Sequence, residues 1–159
     1  MSQTKYTPEM LPSVEEVYPL AIAAYDTATK RFDALDGKLN TLVTFAVSVS
    51  LVVPVVAHNS SLSFNSIWFA LAALAFVAGI TVATVARLHG ALNLLDPKVI
   101  YDSYLDCEPW EFKRCAIYWS GENFRHNQNL INRNGALAAV AAILFALEAV
   151  LVGAWALSL

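Results

Sequence analysis

Residues 137–157 read LAAVAAILFALEAVLVGAWAL, and Ala136 extends this apolar run by one residue toward the N-terminus. A helix of about 20 apolar residues is long enough to cross the hydrocarbon core of a bilayer, so residues 136–157 predict a transmembrane helix. The run contains one charged residue, Glu148, near its centre. Because a carboxylate there costs on the order of 3 kcal/mol on insertion scales, we expect Glu148 to be protonated, paired or turned toward a polar interior.

The overall composition is typical of a membrane protein rather than a soluble one. Of the 159 residues, 57% are hydrophobic and only 14% are charged, whereas charged residues make up about 25% of ordinary soluble domains. The length predicts a single domain over residues 1–159. The net charge of −3 predicts no nucleic-acid polymer as a partner. Two cysteines, Cys107 and Cys115, are too few for a disulfide framework or a four-ligand zinc site.

Two more apolar segments precede the last one. Residues 41–57 read TLVTFAVSVSLVVPVVA, and residues 67–86 form another predicted span. Residues 13–40 have the spacing of an amphipathic helix and no stop signal before the first span, so we predict one long helix that enters the membrane. Pro19 lacks an N–H and is expected to bend or restart this helix. Its apolar face is predicted to contain Leu20, Ala24, Ala28, Phe32, Leu35, Leu39 and Leu42.

Residues 87–134 form the one long connection between predicted spans. An Asp-Pro dipeptide at its start marks a turn, and we predict a short helix over residues 99–105. Pro109 suits the first turn of a further helix, which is expected to run on into the last span and to pack on the long first helix. The face that it uses for this packing is predicted to contain Phe112, Ala116 and Trp119.

The distribution of basic residues predicts the topology. None lies in the predicted turn at residues 58–66, and none follows the last span. The positive-inside rule therefore places residues 13–40 and 87–134 in the cytoplasm and the C-terminus outside. The expected fold is all-α, with three transmembrane helices of which the first and last extend into a cytosolic helical bundle. The basic residues are Lys5, Lys30, Arg31, Lys38, Arg87, Lys98, Lys113, Arg114, Arg125 and Arg133.

Glu148 is the centre of the first candidate site. At a rise of about 1.5 Å per residue, Glu148 lies roughly 18 Å into the last span, near the level of Ser50 and Pro54 in the first. Pro54 leaves the Ser50 carbonyl without its helical partner, so we consider that carbonyl and the Ser50 hydroxyl as partners of Glu148. An intramembrane carboxylate indicates an ion site, a proton site or a pore-facing residue. The alternative is a neutral acid that only joins helices by hydrogen bonding.

Small residues recur along the second predicted span. Ala75, Gly79 and Ala83 are four residues apart on one face, a pattern that lets membrane helices approach closely. Three spans enclose little polar interior, so we expect a symmetric homo-oligomer to satisfy Glu148, Ser50 and this small-residue stripe more easily than a monomer does. The lipid bilayer and further copies of the chain are therefore the expected partners.

The central connection holds a second candidate site. Lys113 and Arg114, near Trp119 and with Arg125 as a further cation, have the chemistry to hold an anionic, ring-bearing ligand by charge and stacking. The alternative is an aromatic and basic collar at the membrane interface. The sequence contains no nucleophile elbow, Gly-rich phosphate loop or HExxH motif. We therefore expect no enzymatic activity, no catalytic residue, no cofactor and no metal.

Three segments of the chain also carry a family resemblance. They are LDGK at 35–38 followed by TLVTF at 41–45, LLDPKVIYDSYLDCEPWEFKR at 94–114, and NQNLINRNGALAAV at 127–140. Together they resemble the Pycsar transmembrane effectors and, more distantly, the SLATT-type effectors of bacterial cyclic-nucleotide anti-phage systems. The resemblance implies an inner-membrane protein that oligomerises and permeabilises the membrane on a nucleotide second-messenger signal, with a cyclic nucleotide as its ligand. The alternative is a non-conducting membrane scaffold or accessory subunit that binds a cytosolic partner.

Overall fold

The computed structural model describes residues 8–59, 66–88, 90–94 and 96–158, and nearly all of them are helical. Within these ranges there is no strand, so the all-α prediction is confirmed. Lys5 and residues 60–65 of the predicted outward turn lie outside the described residues. In the described ranges the elements are a single 3-10 turn at Pro8–Met10 and four helices, α1 (Val14–Asn59), α2 (Ile67–Leu88), α3 (Pro97–Tyr104) and α4 (Pro109–Leu157).

Three of the helices, α1, α2 and α4, are long and apolar enough to cross a membrane. They contain the three predicted spans, and α2 continues to Leu88, two residues beyond the predicted end. The sequence also predicts that the first and last spans continue without a break into more polar helix, and α1 and α4 do so. A single 3-10 turn at Pro8–Met10 precedes α1.

α1 is one unbroken helix despite its two prolines. It begins at Val14, after Ser13, whose carbonyl accepts two backbone N–H groups from the first turn. Pro19 follows in the second turn and neither stops nor restarts the helix. The N–H that Pro19 lacks would have bonded the carbonyl of Glu15. Because Glu15 is exposed, water is available to take the place of the missing donor.

The buried face of α1 repeats every seven residues. Such a repeat keeps one stripe of a helix against its neighbours over many turns. The first part of the stripe differs from the predicted one, because Leu20 is 69% exposed while Tyr18 and Tyr25 are half-buried. The stripe consists of two rows, Val14, Ala21, Ala28, Leu35, Leu42 and Val49, and Tyr18, Tyr25, Phe32, Leu39, Ala46 and Val53.

The chain divides into two compact units. The aromatic unit comprises Met1–Arg31 and Ala91–Leu130, and the apolar unit comprises Phe32–Gly90 and Ile131–Leu159. In the aromatic unit α1 and α4 meet through their rings: Tyr18 lies 6.4 Å from Phe112, and Tyr25 lies 5.7 Å from Trp119, between centroids. The predicted packing of the Phe112 and Trp119 face on α1 is thus present, with tyrosines as its partners. Aromatic rings bury more area than leucine and gain from tilted ring contacts, which explains this choice of face.

The short helix α3 belongs to the aromatic unit. Asp96 precedes it as N-cap and accepts the backbone N–H of Lys98 over 2.8 Å, and proline occupies the first helical position, which is favourable because the missing N–H is not needed there. The helix therefore starts two residues before its predicted start at Val99. At its end the Tyr104 ring lies 6.1 Å from the Phe112 ring, so α3 packs on α4.

In the apolar unit, α1, α2 and α4 are joined by an ion pair, a ring contact and a core that is rich in alanine. Asp36 on α1 and Arg87 in the last turn of α2 form an ion pair of 3.0 Å, half-exposed and therefore worth no more than about 1 kcal/mol. Trp155 on α4 is 1% exposed and lies 5.6 Å from the ring of Phe69, near the start of α2. The core residues are Leu39, Ala46, Ala83, Ala86, Ala138, Ala141 and Phe145.

Candidate functional site

Ser50 on α1 and Glu148 on α4 meet inside the apolar unit. The Ser50 hydroxyl donates a hydrogen bond of 2.8 Å to Glu148 Oε1, and Glu148 is only 2% exposed. A hydrogen bond to a charged group contributes about 1.5–3 kcal/mol, whereas removing a carboxylate from water costs several kcal/mol. One hydroxyl therefore does not compensate a full charge, and the site is complete only with a proton, a cation or water.

Ser50 differs from other hydroxyl-bearing residues of the apolar unit. Thr41, Ser48 and Thr81 each donate to the backbone carbonyl four residues earlier on their own helix, at 3.0, 2.8 and 2.8 Å. This local bond is the usual way in which a hydroxyl is accommodated in a helix. Ser50 instead bonds across two helices, so its hydroxyl fixes the position of Glu148.

Pro54, the third residue predicted near Glu148, stands outside this contact. Its side chain is exposed, and α1 continues past it to Asn59. Ser50 contacts Glu148 through its hydroxyl, although the sequence analysis gave equal attention to the carbonyl that Pro54 leaves without an N–H partner. The site thus consists of a hydroxyl and a carboxyl group, and Pro54, one turn further along α1, has an exposed side chain.

A row of buried polar side chains runs along α4. Its members are spaced by seven residues or a multiple of seven. Two apolar residues, Ala141 and Trp155, occupy further positions of the same row. Polar residues at core positions of packed helices fix the register of the helices at a cost in stability. This row is absent from the sequence-based predictions above, although its seven-residue spacing is visible in the sequence. The four polar members are Ser120, Asn127, Asn134 and Glu148.

The row is satisfied in the aromatic unit and incomplete in the apolar unit. Ser120 donates to the carbonyl of Ile117 over 2.9 Å. In contrast, Asn134 Oδ1 and Glu148 Oε2 are buried and have no hydrogen-bond partner among the described residues. A buried polar atom without a partner costs about 1–3 kcal/mol. Such atoms are rare in native proteins and indicate a strained, ion-binding or water-binding site.

Asn127 holds a backbone segment in the aromatic unit. Its Oδ1 accepts the N–H of Asn93 over 2.9 Å, and its Nδ2 donates to the Asn93 carbonyl over 3.3 Å. The Asn93 side chain in turn donates to Asn123 Oδ1 over 2.7 Å. An amide side chain can satisfy both groups of one residue in this way. The segment before α3 is therefore fastened to α4 by paired hydrogen bonds.

The small-residue stripe of α2 is used within the chain. Ala75 and Ala83 are 6% and 1% exposed, and Gly79 is also buried. A Cβ added to Gly79 would lie 2.5 Å from a ring carbon of Phe145 on α4, so the glycine permits the close approach of α2 and α4. The stripe therefore packs α2 inside the protomer and is not free to contact a second copy.

The four residues predicted as ligand candidates in the central connection do not converge on one pocket. Lys113 forms an ion pair with Glu15, and its Nζ lies 6.0 Å from the centre of the Tyr18 ring. Arg114 lies 5.9 Å from the centre of the Trp110 ring. Trp119 packs against Tyr25, and Arg125 is exposed. Lys113 and Arg114 are thus engaged with different groups of the aromatic unit.

The chemistry that the described partners of Glu148 allow is proton exchange or cation binding. Among the residues that the structure describes, no group of three or more His, Cys, Asp or Glu side chains is placed to hold a metal ion. A carboxyl group with one hydroxyl partner can release a proton or accept a cation when water reaches it.

Comparison of the chain with protein-family models, curated protein sequences and solved structures finds no match.

Proposed function

We propose that this chain is an effector embedded in the bacterial inner membrane, which oligomerises and permeabilises that membrane when a nucleotide second messenger acts on it. In a cell it would serve in defence against phage. The proposal combines the resemblance of residues 35–45, 94–114 and 127–140 to such effectors with the geometry of the buried site. The three apolar helices by themselves support the coarser statement that the protein is compatible with spanning a membrane.

The observation that carries the proposal is the incomplete carboxyl site. Glu148 is buried among apolar helices, with Ser50 on one oxygen and no described partner on the other. A chain that needed only to hold its helices together would be more stable with a leucine at that position, since an intramembrane carboxyl group is costly. Retaining it is favourable if another state of the protein hydrates the group or gives it an ion.

The buried state is proposed to be the closed one. Glu148 is 2% exposed, so it lines no water-filled path in this arrangement. Opening would separate Ser50 from Glu148 and turn the carboxyl group toward water, for instance by rotation of α4 within an oligomer. The free energy lost with the Ser50 bond, about 1–3 kcal/mol, would be regained by hydration of the carboxyl group.

The orientation is proposed from the charges. The positive-inside rule places the aromatic unit, which contains Lys113 and Arg114, on the cytoplasmic side and the C-terminus outside. A cytosolic signal would then meet the aromatic unit first. Lys113 is the most suitable phosphate ligand there, because its partner Glu15 is 60% exposed on its side chain and can be displaced. An anionic nucleotide would compete with the Glu15 carboxylate for Lys113.

The experiment is a depolarisation assay on the reconstituted full-length chain. Vesicles containing the protein and a potential-sensitive dye are exposed to cyclic purine and cyclic pyrimidine mononucleotides in turn. The proposal expects at least one of them to collapse the potential, with no effect on protein-free vesicles. A potential that survives every nucleotide, in vesicles shown to contain folded and correctly oriented protein, would reject the nucleotide-gated function.

A non-conducting scaffold is the second candidate function. The observation that favours it is the burial of Glu148 and of the small-residue stripe within one protomer. In this case Glu148 would act only as a hydrogen-bonding contact between helices. Substitutions at Glu148 would then change the stability of the protein, and the permeability of the membrane would be the same for every variant.

A further inference from the structure

A small cavity lies in the aromatic unit, and Lys113 is not among the described residues that line it. It is lined by residues of α3, α4 and the segment that precedes α3, it is partly open to solvent, and its volume is about 120 Å³. The rings of Tyr104, Phe112 and Trp119 form part of its wall. Because an apolar cavity of about 150 Å³ can take up benzene, the space suits one six-membered ring and is too small for a nucleotide with its base, sugar and phosphate.

The charge around the cavity selects among such rings. Of the nine described residues that line it, Asp96 is the only one with a charged side chain, and none is lysine or arginine. An anionic ring would be repelled by Asp96, whereas a cationic one would be attracted. The faces of aromatic rings also attract cations. Charge and wall chemistry thus favour the same kind of ligand.

We propose that this cavity is a binding site for a small single-ring aromatic amine, with its ring among Tyr104, Phe112 and Trp119 and its ammonium group toward Asp96. Nothing in the membrane-effector function requires this site, and the proposal does not depend on that function. The ligand would contact α3 and α4 together, so its binding would strengthen the packing of α3 on α4.

The chain contains a chemical reporter of occupancy. Cys115 lines the cavity, whereas Cys107 does not line it and donates its thiol to the Tyr104 carbonyl. A ligand in the cavity should shield Cys115 from a water-soluble maleimide and leave Cys107 as the reference. Benzylamine, benzyl alcohol and benzoate are suitable probes because they share one ring size and differ in charge. The full-length chain is held in nanodiscs of zwitterionic lipid, which do not concentrate a cation.

The expected result is saturable protection of Cys115 by benzylamine, at least fivefold in rate, weaker protection by benzyl alcohol and none by benzoate. Asp96→Asn should keep the helix cap, since Asn caps as well as Asp, and should reduce the affinity for benzylamine to that for benzyl alcohol. Ala116→Leu should abolish protection, because Ala116 lines the cavity and leucine narrows it. The matched control is Ala23→Leu, at an exposed position of α1.

Three outcomes would overturn the proposal. One is that benzylamine fails to protect Cys115 at saturating concentration. Another is equal protection of Cys107 and Cys115, which would indicate a general effect on the protein or on the reagent. The third is that benzoate protects as well as benzylamine. If Ala116→Leu does not fold, as judged by helical content, Asp96→Asn still decides the role of charge.

Discussion

Gly79 on α2 lies against the ring of Phe145 on α4, so closely that a Cβ added to Gly79 would stand 2.5 Å from Phe145 Cε1. Ordinary contact between carbon atoms is about 3.5–4.0 Å, so the ring would have to move. Phe145 is 1% exposed and has little room to do so. Gly79 is therefore required by the approach of two helices.

The first prediction is that Gly79→Ala destabilises the apolar unit. Overpacking a buried contact costs about 1–3 kcal/mol, and this should appear as a lower midpoint of thermal aggregation in a mild detergent. Gly153→Ala is the control, because a Cβ there meets nothing within 4 Å. The control should be neutral or slightly stabilising, since alanine is the better helix former.

The partner residue gives a second check on this contact. In the Gly79→Ala background, Phe145→Leu should restore part of the lost stability, because it removes the ring carbons nearest the new Cβ. Equal stability of Gly79→Ala and wild type would show that the two helices can separate at no cost, which would contradict the close packing.

The topology prediction is that α1, α2 and α4 cross the membrane with the N-terminus in the cytoplasm and the C-terminus outside. The reason is that the basic residues occur in the N-terminal segment, at the end of α2 and between α2 and the apolar part of α4. Reporter fusions after Leu159 should be active only with a periplasmic reporter, and fusions within residues 97–104 only with a cytoplasmic one. A cytoplasmic signal after Leu159 would rule out an odd number of spans.

Much of the fold could be predicted from the sequence, because long apolar runs and helical spacing are strong signals. The long helices α1 and α4 and the start of α4 at Pro109 follow from them. The face of α1 near its start could not be predicted in the same way, since Leu20 and Tyr18 are both apolar enough to be buried. In the structure the Tyr18 ring is half-buried because it packs on Phe112, and that contact joins residues far apart in the sequence.

We predict that the protein is a homo-oligomer in a mild detergent and in lipid. The motive is that Glu148 Oε2 is buried without a described partner, a cost that rearrangement around a symmetry axis can relieve. The α2 stripe is buried within the protomer, so the contacts between copies are expected to use other apolar faces. Light scattering should give a mass of two or more chains. A monomer across several detergents and in nanodiscs would contradict the prediction.

The ion pair of Glu15 and Lys113 leads to a prediction about the signal. If an anionic nucleotide displaces Glu15, then Glu15→Gln should increase sensitivity to the nucleotide. The increase should be at most about fivefold, since exposed ion pairs contribute no more than about 1 kcal/mol. Lys113→Met should abolish the response. Glu16→Gln, an exposed neighbour, is the control and should leave the dose–response curve unchanged.

The outcome of this comparison separates a binding role from a general charge effect. Equal shifts for Glu15→Gln and Glu16→Gln would mean that only net charge matters. An unchanged response in Lys113→Met would exclude Lys113 as the phosphate ligand and would move the search to other basic residues of the aromatic unit.

The candidate site was predictable in part. Helix rise alone placed Ser50 near the level of Glu148, and a lone carboxylate in an apolar run is conspicuous. Rise gives the level of a residue but not which of its polar groups makes the contact, and the structure uses the Ser50 hydroxyl. The polar row of α4 could have been found from its seven-residue spacing. The partners of Lys113 could not, because Glu15 is distant in the sequence.

The last prediction concerns the Ser50–Glu148 contact itself. Glu148→Leu removes the polar group and Glu148→Gln keeps its size and hydrogen bonding without a titratable charge. If Glu148 is the functional centre, Glu148→Leu should insert and oligomerise normally but lose nucleotide-dependent depolarisation, since leucine is the more stable residue in hydrocarbon. Glu148→Gln should retain structure and change the ion preference or the pH dependence of the response.

Ser50→Ala should open at a lower nucleotide concentration, by up to about tenfold, because the closed state loses a hydrogen bond of about 1 kcal/mol or more. Ser48→Ala is its control, since Ser48 bonds only to its own helix.

A Ser50–Glu148 contact that merely joins helices would give wild-type behaviour for Glu148→Gln and a change of stability alone for Glu148→Leu. Depolarisation by Glu148→Leu at the wild-type rate would exclude Glu148 as the functional centre.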